Sequence, residues 1–198
     1  MVLLTVGAVL VQTALLAVLV VAYRRENTAA VVNTAGAVLL TLVPAALAWA
    51  LDVGTARSAA IPGLTFVVAV AGFLHCLGML GRYETVGWWD HLTHTLSAAL
   101  LAALLYAWLL VDGATGTGLL AGTVLGTFAL GVVWELGELI AREVADWFDI
   151  EPVLVHYGWR DTALDLVFDL VGAALIVAFD VRLFVSTVET VGRAAGVA

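Results

Sequence analysis

Uninterrupted apolar runs recur six times along the chain, near residues 2–22, 29–51, 60–80, 91–111, 117–139 and 164–185. Each is about 18 residues or longer, the length an α-helix needs to cross a hydrocarbon layer of about 30 Å. Short polar breaks separate them: Arg24-Arg25-Glu26-Asn27, Asp52-Val53-Gly54, Arg82-Tyr83-Glu84 and Asp112-Gly113. The one long connection, 140–163, begins with a stretch from Ala141 to Ile150 that mixes charge with Val, Trp and Phe. That mixture predicts a segment lying flat in the membrane interface. No internal repeat or soluble domain interrupts the pattern, so residues 1–198 read as a single integral membrane domain. The predicted class is all-α: a polytopic membrane helical bundle of about six transmembrane helices.

Composition sharpens this picture. Hydrophobic residues make up 63% of the 198 positions and charged residues 12%, against about 45–50% and about 25% in soluble domains. A basic nucleic-acid-binding face, a disulfide framework and a β-sandwich are all excluded; Cys76 is the single cysteine. The first apolar run has no basic segment before it and is too long for a cleaved signal. Sixteen acidic residues face eight basic ones, every one an arginine. A lysine-free, acidic, Ala/Val-rich chain points to a halophile or a high-GC host. Arg24, Arg25, Arg82, Arg142 and Arg160 fall on the odd-loop face; Arg57, Arg182 and Arg193 fall on the other. The bias places the odd loops in the cytoplasm of a plasma-membrane protein. Trp88, Trp89, Trp134, Trp147 and Trp159 gather toward the same face as an interfacial belt.

The fifth run carries Gly118, Gly122 and Gly126 at four-residue spacing, a stripe for close helix packing. At 100° per residue Glu135 and Glu138 lie roughly 150° from it, so one face is expected to pack and the opposite one to carry acid. Ionisable residues also open spans four and six. Asp90 and His94 share a helix face, with His91 beside them, and Asp161, Asp165 and Asp169 form a stripe about 12 Å long. The topology brings these ends together on one side of the membrane. Six acids there face three arginines at most, and the surplus charge calls for protonation, hydration or a cation. Oxygen-rich donors with an imidazole suit Mg²⁺, Mn²⁺, Ca²⁺ or iron, with zinc also compatible.

Structural readings stand beside the metal. Asp161 is placed to cap the sixth helix, Glu138 to pair with Arg142 at i,i+4, and His75 to be a buried, hydrogen-bonded imidazole. Asn33 and Thr34 read as interhelical hydrogen-bonders, and His156 as solvated. Zincin, serine-hydrolase, CDP-alcohol phosphotransferase and lipid-phosphatase signatures do not occur.

The ordered series Asp90-x3-His94, Glu135-x2-Glu138 and Asp161-Thr162-Ala163-Leu164-Asp165, followed by Val171-Gly172-Ala173, resembles the bacterial inner-membrane family typified by YjdF, and more loosely VanZ-like proteins. The resemblance covers about residues 70–176 and implies a six-span fold with a shared polar site, but no established activity. His91 stands where a basic residue is expected, and Asp169 adds an acid where that family tends to be apolar.

The sequence therefore predicts a divalent metal ion (Mg, Mn, Zn or Fe) held by Asp90, His94, Glu135, Asp161 and Asp165. Glu138 is expected as general base, and Arg160 or Arg142 as the grip on phosphate. Membrane lipid is the expected partner, and an amphiphilic, lipid-linked phosphate the expected substrate of a hydrolase or transferase. The alternatives are a cation or proton transporter, or a structural subunit with a salt-bridged cluster.

Overall fold

The computed structural model describes residues 2–53, 61–154 and 157–196; Arg57 and His156 lie outside them. Within these residues the chain is helical, and the long helices follow the apolar runs: α1 Val2–Arg24, α2 Thr28–Ala50, α3 Ile61–Leu77, α4 Trp89–Val111, α5 Gly116–Phe148 and α6 Trp159–Ala178. A further short helix, α7 Val185–Ala195, closes the chain. Five segments have the length and apolarity to cross a membrane: α1, α2, Ile61–Thr85 (α3 with the turns after it), α4 and α5. Helix α6 carries Arg160 and three aspartates, yet Asp165 and Asp169 face inward while Leu164, Val167, Val171 and Leu175 are exposed. Acid inside and aliphatic outside is the polarity of a membrane helix. It starts and stops about six residues earlier than the apolar run suggested, because its polar first turns are stabilised by neighbours rather than by lipid.

Inside-out polarity runs through the whole molecule. The surface presents Leu39, Leu40, Val43, Trp49, Leu125 and Val133, whereas the interior is built from alanine, threonine, glycine and buried carboxylates. Small residues let helices approach where lipid removes the hydrophobic drive for association. Helices α1–α3 pack on one another through Leu15, Val18, Ala37 and Cys76. A second cluster, Ala22, Ala29, Ala30 and Met79, closes one end. There Asn27 caps α2 by accepting from Ala30 N (2.8 Å) and donates to Met79 O (3.1 Å). Thr34 donates to Ala30 O (2.6 Å) within its own helix and also faces Cys76 of α3. Helices α4, α5 and α6 form the other half with α7, around Ala102, Ala103, Tyr106, Ala107, Leu119, Ala173, Ile176 and Phe184. The pair α4 and α6 makes the most extensive helix contact in the molecule.

One expectation for α5 needs correction and another needs completing. The stretch Ala141–Ile150 does not lie flat as a separate segment. Residues to Phe148 continue the same helix, 33 residues and so about 50 Å long, well over the about 30 Å of a hydrocarbon layer. Glycines and acids do lie far round the helix from one another, but both faces pack: Gly122 and Gly126 against α4, and Glu135 and Glu138 buried on the other side. The buried positions Leu119, Thr123, Thr127, Gly131 and Glu135 repeat every four residues, so the seam advances about 40° per step and winds round the helix. A Cβ at Gly122 would sit 3.0 Å from Leu109, one at Gly126 would overlap Leu105, and one at Gly118 would meet nothing. The seam therefore begins against α4 and ends, at Glu135, in the polar chamber.

At the α6–α7 corner, Asp180 accepts from Arg182 Nε (2.9 Å) and Tyr106 Oη (2.6 Å). The guanidinium first, then the phenol, holds its carboxyl below the usual carboxylate range. On the other face Tyr157 donates to Glu84 Oε1 (3.3 Å), and burial beside that carboxylate pushes the phenol up to about 12.

Candidate metal centre

Two glycines set the chamber. A Cβ at Gly172 would stand 2.5 Å from Thr95 O and 2.8 Å from Ala99 N, so only glycine lets α6 lie against the α4 backbone at this point. A Cβ at Gly131 of α5 would collide with the Asp169 carboxylate. With both side chains reduced to hydrogen, α6 turns its acidic face onto His94, and the three helices close round one imidazole.

Three carboxylates surround that imidazole. His94 Nδ1 lies 3.3 Å from Asp169 Oδ1, while Nε2 lies 3.7 Å from Asp165 Oδ1 and 3.9 Å from Asp90 Oδ1. Donor atoms of Asp90, His94 and Asp165 all fall within 4.8 Å of one another. Ligands bonded at about 2.0–2.6 Å to one divalent ion lie at such separations. Asp165 is buried and its Oδ1 has no hydrogen-bond partner. A buried carboxylate oxygen without a donor is costly, and a cation is one remedy. Asp169 on the opposite ring nitrogen is the arrangement that fixes a ligating histidine's tautomer and direction.

The remaining predicted residues ring this group. Glu135 is buried with both carboxylate oxygens unpartnered, within electrostatic reach of His94, Asp169 and Asp161. Asp161 is half-buried in the first turn of α6, where an acid favours the helix dipole; the cap position itself falls to Gly158. Neither Glu135 nor Asp161 joins the three donors that lie within 4.8 Å. Glu138 faces the same chamber and accepts from Trp134 Nε1 at 2.9 Å. Its expected pairing with Arg142 does not form, because the carboxylate turns inward while Arg142 stays exposed. Arg160 is exposed, its guanidinium over the Trp159 ring at 5.5 Å, at the chamber's rim. Among the described residues no arginine reaches ion-pair distance of Asp90, Glu135, Glu138, Asp165 or Asp169; the paired ones are Arg182 and Arg193, at the far end of the chain.

His75 belongs elsewhere. Asn33 donates through Nδ2 to Ala29 O (2.9 Å) and Val153 O (2.5 Å), so Oδ1 is the atom facing His75 Nε2 at 3.2 Å. That nitrogen therefore carries a proton, and Nδ1 of the neutral ring accepts from Tyr83 Oη at 2.7 Å. Tyr83 Oη also lies 3.3 Å from Thr93 Oγ1, whose own proton goes to Asp90 O (2.9 Å). A buried, hydrogen-bonded imidazole is what the sequence suggested; its link through Tyr83 to the start of α4 was not anticipated. Glycine at 78 makes the link possible, since a Cβ there would overlap the Tyr83 ring. His91 leaves the cluster by stacking on Phe168, centroids 4.2 Å apart.

Asp169 is the functional candidate that sequence reasoning left without a role. Its four-residue offset from Asp165 put it on the right face, but nothing in the spacing said which acid meets the imidazole.

The chain belongs to the family described as predicted membrane protein (DUF2238), whose model matches residues 6–186. It is also similar to an uncharacterized protein of Thermotoga maritima, 30% identical over 110 residues. That match covers 50% of this chain and 52% of the relative, so the chain matches about half the relative's length. No solved structure matches.

Proposed function

We propose that this member of the DUF2238 family, a multi-pass membrane protein, binds a divalent cation at Asp90, His94 and Asp165 and uses it in hydrolysis or transfer of a lipid-linked phosphate. The observation that carries the reading is the meeting of two carboxylates and an imidazole within 4.8 Å, with Asp169 behind the histidine. In this reading the cation acidifies a water or polarises a phosphoryl oxygen. Glu138, buried and oriented by Trp134, takes the proton. Arg160 and Arg142 stand exposed at the rim, where they can meet phosphate oxygens. The same motif order supports a place with YjdF-like proteins and, more distantly, the VanZ-like ones.

One observation favours this over transport. The side of the α4–α6 bundle beyond the chamber is filled by Ala102, Ala103, Ala107, Ala173 and Ile176, with the Thr123 and Thr127 hydroxyls but no buried carboxylate or imidazole among the described residues. A one-sided site is suited to chemistry at head-group depth.

Glu138→Gln tests the enzyme reading. With Mn²⁺ present, the purified protein is expected to release inorganic phosphate from a polyprenyl or diacylglycerol phosphate. The variant should lose at least about 100-fold in rate, the scale of general-base removal, while retaining bound metal. Equal rates in both proteins would contradict the assignment of Glu138.

A further inference from the structure

Glu135 raises a question that one cation does not answer. The side chain is 6% exposed and neither carboxylate oxygen has a protein partner. Across the α5–α6 seam Thr162 Oγ1 faces it without completing a hydrogen bond, and is itself buried and unpartnered. Buried polar atoms in folded proteins are almost always satisfied, so three orphaned oxygens meeting at one point mark a place for a ligand. Protonating Glu135 would supply one hydrogen and still leave acceptors unmet.

The position is separate from the first. Antiparallel α5 and α6 set Gly131 against Asp169, so Glu135, one turn further along α5, stands level with Asp165, one turn back along α6. Asp165 thus neighbours His94 on one side and Glu135 on the other. Charge points the same way. Asp90, Glu135, Glu138, Asp165 and Asp169 stand round a single imidazole with no arginine at ion-pair distance among the described residues, and one divalent ion leaves negative charge uncompensated.

We propose a second cation position in the chamber, held by Glu135 and Thr162 with Asp165 shared, so that the site takes a pair of divalent ions. It rests on the metal reading above. The donors here are all oxygen, which selects Mg²⁺ or Mn²⁺ over softer ions. Two ions about 3.5–4 Å apart would clamp both the attacking and leaving oxygens of a phosphoryl displacement.

Mn²⁺ titration of the full chain in detergent, followed by electron paramagnetic resonance, tests this. The wild type is expected to take two Mn²⁺ per chain with an exchange-coupled spectrum. Glu135→Gln should take one, with the spectrum of an isolated ion. Thr162→Val, which keeps the side chain's shape, should weaken the second binding step about tenfold and provides the same test should Glu135→Gln fail to fold. One Mn²⁺ per chain, with a spectrum indifferent to both substitutions, overturns the second position and leaves the first intact. No Mn²⁺ in the wild type overturns both.

Discussion

His94 meets different partners on its two ring nitrogens, and that asymmetry is the most informative detail at the residue scale. Nδ1 faces Asp169, while Nε2 faces Asp165 and Asp90. A proton held at Nδ1 by Asp169 leaves the Nε2 lone pair for a metal. Replacing a carboxylate that orients a metal-bound histidine typically costs 10–100-fold in metal affinity. Asp169→Asn is therefore expected to weaken metal binding by about that factor without abolishing it, measured by competition with a chelator. Unchanged affinity would reduce Asp169 to a bystander. The Asp90–His94 pair was legible from its i,i+4 spacing, as was the inward face of Asp161, Asp165 and Asp169. The partnership of Asp169 with Nδ1 was not, because a stripe three turns long is compatible with any of its acids meeting the imidazole. Rotation of α6 about its own axis decides the matter, and side-chain spacing carries no record of it.

Among the elements, glycine placement sets that rotation. Gly172 brings the α6 and α4 backbones together, and Gly131 clears room for the Asp169 carboxylate. A larger residue at 172 would press on Thr95 O and Ala99 N, backbone atoms that cannot swing aside. Gly172→Leu should destabilise the protein by roughly 1–3 kcal/mol, the usual cost of overpacking, and lower metal affinity with it. Gly118→Ala is the control: a Cβ there meets nothing, so helix propensity alone predicts a neutral or slightly stabilising change. Thermal melts in detergent distinguish the two, and equal melts would show that α6 does not depend on the close approach. Span positions were readable because length and apolarity suffice to define them. The continuation of α5 to Phe148 was harder to read, since Trp147, Phe148 and charged neighbours suit an interfacial segment and an extended helix alike. Its buried seam was only partly readable, because a four-residue repeat winds round the helix and buries the acidic face as well as the glycine face.

For the whole molecule, the distribution of polarity argues for a one-sided centre. Acids from three helices meet within the first turns of α4 and α6, an apolar layer closes the bundle beyond them, and the outer surface is aliphatic. Carboxylates so placed are expensive in a bilayer, roughly 2.5–3.5 kcal/mol for an aspartate at mid-helix on insertion scales, and here no described arginine offsets the inner four. In the proposed function a divalent cation offsets them. Elemental analysis of the detergent-purified chain, wild type beside Asp165→Asn, tests it most directly. Metal at one or two ions per chain is expected in the wild type, with most of it lost in the variant. Equal metal content in both proteins, or none in either after exposure to Mg²⁺, Mn²⁺ and Zn²⁺, would contradict it.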